Sequence, residues 1–197
     1  EAISCYEKTL DLKGENPWTL NNLGICLRKV DRYVLSEIVL RHAVSIEPGF
    51  TGAWFNLGNT FKVQEKYEEA IASFRKAVKL NPNFQDPYLS LGILLKKLDR
   101  NEEAIAVYRK AIEVKADFAE SYWNLGILLW EGGKNKEAII SIRKVIELRP
   151  DFAEAYLCLG TVLKEEGEIE EAMASYRIVI ELKPDLADSY QHLATCL

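Results

Sequence analysis

Apolar residues recur along this 197-residue chain with a period of 34, and the pairs Leu23-Gly24, Leu57-Gly58, Leu91-Gly92, Leu125-Gly126 and Leu159-Gly160 hold that period without a slip. Counting the glycine as repeat position 8, position 4 holds Leu20, Trp54, Tyr88, Tyr122, Tyr156 and Tyr190, and position 11 holds Leu27, Phe61, Leu95, Leu129, Leu163 and Leu197. Position 20 is small (Ala2, Ser36, Ala70, Ala104, Ala138, Ala172), and position 24 is Tyr6, Leu40, Phe74, Tyr108, Ile142 and Tyr176. Apolar positions 4, 7, 8 and 11, then 20, 24, 27 and 30, follow the i, i+3/i+4, i+7 spacing of an amphipathic helix. Each repeat therefore predicts two helices. A unit this short cannot bury an apolar stripe alone, so the units must stack.

The frame places a lone second helix at 1–16, full repeats at 17–50, 51–84, 85–118, 119–152 and 153–186, and a lone first helix at 187–197. The whole chain, 1–197, reads as one array. Because it starts and stops in mid-repeat, we expect a piece of a longer one. Tyr6, Tyr190, Leu193 and Leu197 would then lack their usual cover, and end-to-end self-association is expected. Pro48, Pro82, Pro150 and Pro184 stop the second helices, because the residue before a proline is pushed out of the helical region. Ala116 breaks that column, so the helix near Lys115 is expected to run on by about a residue. A helical glycine costs about 1 kcal/mol relative to alanine. Its recurrence at position 8 predicts close approach of the paired helix, opposite the small residue at position 20. Asp117-x-x-Glu120, Asp151-x-x-Glu154, Asn83-x-x-Asp86 and Asp185-x-x-Asp188 predict side-chain caps on the first helices.

The pattern W-x2-L-G, A-x3-F, P resembles the tetratricopeptide repeat along the whole chain. That resemblance implies an all-α fold, a right-handed α-solenoid or superhelix of antiparallel helix pairs, whose inner groove is lined by the first helices. On those helices, positions 5, 9 and 12 form a second stripe beside the core stripe. Position 5 gives Asn21, Phe55, Leu89, Trp123 and Leu157; position 9 gives Ile25, Asn59, Ile93, Ile127 and Thr161; position 12 gives Arg28, Lys62, Lys96, Trp130 and Lys164. Part of this stripe would pack against the next repeat. The remainder, apolar with a cationic border, is what an interaction surface looks like, with Phe55 and Trp123 as anchors.

Position 6 adds Asn22, Asn56 and Asn124, interrupted by Ser90 and Cys158. A carboxamide complements a peptide group. An asparagine ladder of this kind is similar to the repeat region of O-linked N-acetylglucosamine transferases, and the segment 170–197 looks like that region. Asn22, Asn56, Lys62 and Lys96 also partly resemble the two-carboxylate clamp of chaperone-binding repeat domains, although Asn21 stands where that clamp has a lysine.

Composition removes several function classes. With 25 Lys and Arg against 30 Asp and Glu, for a net charge of −5, there is no basic excess for nucleic acid. No apolar run is long enough to suggest a membrane span. Cys5, Cys26, Cys158 and Cys196 show no metal-binding spacing and read as buried free thiols of a reducing, cytoplasmic setting. His42 and His192 read as separate surface residues without a metal. Glu68-Glu69, Glu102-Glu103, Glu165-Glu166 and Glu170-Glu171 read as a solvated face rather than acid–base pairs, and Gly132-Gly133 as an interhelical turn. No cofactor and no catalytic set is expected.

Two functions stand. One is a scaffold without chemistry of its own, holding protein or peptide segments on Asn22, Phe55, Asn56, Asn59, Lys62, Leu89, Ile93, Lys96, Trp123, Asn124, Ile127, Leu157 and Lys164. The other is the substrate-recruiting arm of a larger glycosyltransferase whose catalytic domain lies outside these residues.

Overall fold

The structure, a computed structural model, describes Ser4, Lys8 and residues 16–196. The lone second helix expected over 1–16, with Ala2, Cys5 and Tyr6, lies outside the described residues apart from Ser4, Lys8 and Asn16, as does Leu197. The described chain from Asn16 onward folds into eleven helices. The first helices are α1 (Pro17–Lys29), α3 (Thr51–Val63), α5 (Gln85–Lys97), α7 (Ala119–Glu131), α9 (Ala153–Glu165) and α11 (Ala187–Ala194). The second helices are α2 (Tyr33–Ile46), α4 (Tyr67–Leu80), α6 (Asn101–Val114), α8 (Asn135–Leu148) and α10 (Ile169–Leu182). They group into two compact units, one reaching Arg100 and the other beginning at Asn101.

Every second helix ends at repeat position 30. That includes α6, which stops at Val114 and does not run on past Ala116 as expected. The connector sets this stop. The residue at position 34 must return to the core, and its carbonyl takes the first bond of the next helix: the Ser121 N–H donates to Phe118 O at 3.1 Å, as Ala155 N–H does to Phe152 O at 3.0 Å. Proline only reinforces it.

The same connector displaces the expected caps. Phe84, Phe118, Phe152 and Leu186 occupy the N-cap positions and make no side-chain cap bond. The expected capping residues, Asn83, Asp117, Asp151 and Asp185, therefore sit one residue outside the helix, where Asp117 pairs with Lys115 at 3.8 Å. The first-turn carboxylates Asp86, Glu120, Glu154 and Asp188 remain, where negative charge is favoured. Asn16 does cap α1, accepting the Trp18 N–H at 2.9 Å.

Between the helices of each described repeat, position 15 adopts a left-handed backbone: Asp31 (φ 60°), Glu65 (φ 60°), Asp99 (φ 56°), Gly133 (φ 70°) and Gly167 (φ 83°). The Gly132-Gly133 turn is thus in place, and the other three residues bear the penalty that a Cβ brings to this region. Glu65→Gly should therefore stabilise the protein by about 1 kcal/mol. A thermal melt showing no gain would mean that the Glu65 side chain contributes something its exposure does not suggest.

The core columns are buried as the periodicity requires. Leu40, Phe74, Ile142 and Tyr176 at position 24 are fully enclosed. The position-8 glycine does mark close approach opposite the small residue of position 20, and the large residue of position 24 also lies on it. A Cβ on Gly58 would stand 2.6 Å from Cε1 of Phe74, and one on Gly160 2.6 Å from Cε1 of Tyr176. The small residue at position 20 lets the backbones near each other, and Ser36 Oγ there donates to Gly24 O at 2.8 Å.

Candidate peptide-binding face

In the unit ending at Arg100, α1 and α3 lie side by side, joined by a chain of carboxamides. Asn21 is buried, 7% exposed. Its Oδ1 accepts from Asn56 Nδ2 at 2.9 Å, and its Nδ2 donates to Asn22 Oδ1 at 3.5 Å. The sequence marked Asn22 and Asn56 as outward hydrogen-bonding groups. The structure shows Asn56 already giving one N–H to a neighbouring repeat, while Asn22 is exposed. A lysine clamp is not built here, because its place is taken by this buried asparagine.

Phe55 is half-buried. Its ring stands edge-on to Phe84 at 5.2 Å and tilted to Phe74 at 6.0 Å, so one side belongs to the packing of its own repeat. Asn59 and Leu89 are half-buried beside it, and Ile93 is 52% exposed. The cationic border at position 12 consists of Arg28, Lys62 and Lys96, all half-buried. Partial burial depresses the Lys62 pKa and the Arg28 charge depresses it further; burial likewise lowers that of Arg28.

In the unit beginning at Asn101, Trp123 packs edge-on to Phe152 at 5.1 Å, and the Arg149 guanidinium covers the other ring at 4.8 Å. Ile127 and Leu157 are half-buried next to it. Asn124 Nδ2 donates to its own helix, at Glu120 O, 2.7 Å away. At position 12, Trp130 Nε1 donates to Glu165 at 2.7 Å, and Lys164 Nζ to Thr195 Oγ1 at 2.6 Å. Cys158 fills position 6 and is buried, 7% exposed. Each unit thus presents a partly apolar face on its first helices, but the predicted residues are more committed to packing than their spacing implied.

The paired glutamates also do more than face solvent. Glu68 binds Arg100 at 2.9 Å and Glu171 binds Arg143 at 2.5 Å, stitching successive repeats, as Glu137 does with Arg109 at 2.6 Å. Glu165 and Glu166 accept from Trp130 and Asn135. These bonds join residues about one period apart, a separation that inspection of one helix at a time does not reveal.

Neither histidine is simply a surface group. His42 is half-buried, and His192 stacks on Tyr176 with ring centroids 5.2 Å apart. Among the described residues no three metal-ligating side chains converge, and no helix is long and apolar enough to cross a membrane. Cys26, Cys158 and Cys196 are free thiols. Cys26 and Cys196 are half-buried rather than buried, whereas burial pushes the Cys158 pKa up to about 12. Maleimide at mildly alkaline pH should label Cys26 and Cys196 and spare Cys158 until the chain unfolds. Mass mapping that finds Cys158 labelled as fast as Cys26 would contradict this packing.

Tetratricopeptide repeat models match residues 52–84 and 119–152, a further one matches 73–106 and 142–174, and a repeat model of the same class matches 94–133. Together they span well over half of the chain. No curated protein matches it. Among solved structures, the chain is similar to YrrB, a tetratricopeptide repeat protein described as having an unusual peptide-binding site, with 23% identity, 98% of each chain covered and a TM-score of 0.76. MamA gives 23% identity, a TM-score of 0.76, and coverage of 89% of this chain and 96% of that one. The C-terminal part of a repeat protein from Cytophaga hutchinsonii gives 19% identity, a TM-score of 0.82, and coverage of 98% and 78%. At these identities the likeness carries the fold and nothing finer. On the repeat period, the two helices of each described repeat and the matching repeat models, the chain belongs to the tetratricopeptide repeat family.

Proposed function

We propose that this protein is a binding scaffold that holds peptide segments of partner proteins on the faces of its first helices. The observation that carries the reading is the recurrence, on the first helices of both units, of a partly covered apolar stripe with polar and cationic side chains beside it. The second helices expose apolar residues too, Val34, Ile38 and Ile140 among them, but there they stand among charges that close into ion pairs between neighbouring repeats. The inner side leaves Ile93 about half exposed, with Phe55, Leu89, Trp123, Ile127 and Leu157 only partly covered, and a cationic edge beside them. Apolar surface with a polar rim is the usual mark of an interaction site. YrrB, which shares this fold, is described as having a peptide-binding site, so the fold is compatible with the same reading. A substrate-recruiting arm of a glycosyltransferase would use the same faces, but no feature of the described residues favours it.

Panning a random peptide library against the purified chain, in parallel with an Ile93→Asp variant, tests the proposal. Ile93 is exposed, so the variant should keep the helical signal and melting behaviour of the parent while losing the peptides selected on that face. Equal recovery on parent and variant would overturn it.

A further inference from the structure

Where α2, α3 and α4 meet, within the unit ending at Arg100, a cleft of about 330 Å³ opens between the two second helices. Buried Val44, Leu57 and Phe61 give it an apolar floor, and the half-buried Trp54 lines it as well. Trp54 Nε1 donates to Pro48 O at 2.9 Å, which engages the indole N–H and holds the ring in place.

This junction differs from two later ones. There, position 25 of one repeat and position 19 of the next close into an ion pair, Arg109 with Glu137 at 2.6 Å and Arg143 with Glu171 at 2.5 Å. Arg41 and Glu69 hold those positions here and both line the cleft, yet Arg41 Nε donates to Glu37 at 3.0 Å and its guanidinium lies over Phe61 at 5.1 Å. Glu69, exposed on the rim, forms no ion pair among the described residues. The bond that would bridge the cleft is missing. Its neighbours are also small, with Ala72 where a later repeat has Ile140, and Ser45 where later ones have Glu113 and Glu147.

The polar groups of the cleft are mostly acceptors. Ser73 Oγ donates to Glu69 O and Ser45 Oγ to His42 O, both at 2.8 Å, so each hydroxyl proton points into its own helix and leaves acceptor lone pairs. Acceptor oxygens, an unpaired carboxylate and an indole face together attract a cation, and an apolar floor favours one carried on an aliphatic stem. We propose that this cleft receives a basic side chain, lysine or arginine, from the surface of a partner protein. A small-molecule site encloses most of its ligand, whereas Arg41, Ser45, Glu69 and Ala72 are all exposed and leave this cleft open along one side. An occupant anchored outside fits that opening. The site shares no residue with the first-helix faces proposed to hold peptide, and neither reading depends on the other.

The test titrates the full chain, labelled at its tryptophan side chains, with the Nα-acetyl methylamides of lysine and arginine and of their neutral counterparts, Nε-acetyl-lysine and citrulline. The Trp54 indole N–H signal should move with the charged probes, and the neutral ones should bind on the order of tenfold more weakly. Glu69→Gln should erase that difference. Ala72→Ile, which copies the residue at Ile140, should block every probe without lowering the melting temperature. Equal affinity for charged and neutral probes would overturn the cation assignment, and a Trp54 signal that no probe moves, or parental binding by both variants, would overturn the site. Hexylammonium binding about tenfold tighter than the lysine amide would give the cleft to a free amine and overturn the partner side chain. If Ala72→Ile fails to fold, Glu69→Gln alone decides.

Discussion

Phe74→Ala is expected to cost about 3–5 kcal/mol, because the ring is fully enclosed and fills the space that Gly58 vacates. Gly58→Ala tests the same contact from the other side. In an ordinary helix it would be worth about 1 kcal/mol in favour of alanine. Here the new methyl would meet Phe74 at 2.6 Å, and displacing an enclosed ring costs about 1–3 kcal/mol. The net change should be destabilising. In the Phe74→Ala background the clash is gone, so Gly58→Ala should become neutral or stabilising. Denaturant melts of the four proteins measure the coupling. Additive effects of the two substitutions would contradict the close approach.

The second large effect separates binding from stability on the first-helix faces. Ile93 is 52% exposed, so Ile93→Ala should change stability by less than about 0.5 kcal/mol and should weaken a bound peptide. Trp123 is different, because it packs on Phe152 beneath the Arg149 guanidinium. Trp123→Ala should weaken the peptide by more than about 1 kcal/mol and lower stability as well, by about 1–2 kcal/mol. Paired titrations and melts check both, and a Trp123→Ala protein with parental stability would show that the ring contributes nothing to its own repeat.

The succession of paired helices was legible in the sequence because the 3.6-residue period is local, whereas the end of α6 and the entry points of the first helices were not. The core was legible too, since each column repeats five times. What the sequence concealed was which neighbour each column meets. Periodicity showed that position 8 needs room, but the ring lying on Gly58 comes from position 24 of the paired helix. It likewise showed Asn22 and Asn56 facing outward, while the bond from Asn56 to the buried Asn21 crosses 35 residues. The expected caps failed for a related reason. An acid before a helix is a good cap only if the chain enters there, and the packing of Phe84 and Phe152 on Phe55 and Trp123 moves the entry point by one residue.

The most direct measurement of the central claim is a map of backbone and side-chain NMR shifts while a selected peptide is titrated into the labelled chain. The account predicts that perturbations gather on Asn22, Phe55, Asn56, Asn59, Lys62, Leu89 and Ile93 in one unit and on Trp123, Asn124, Ile127 and Leu157 in the other, with the outer helices silent. Perturbations centred instead on outer residues such as Val34, Ile38, Ile140 and Arg143 would contradict it.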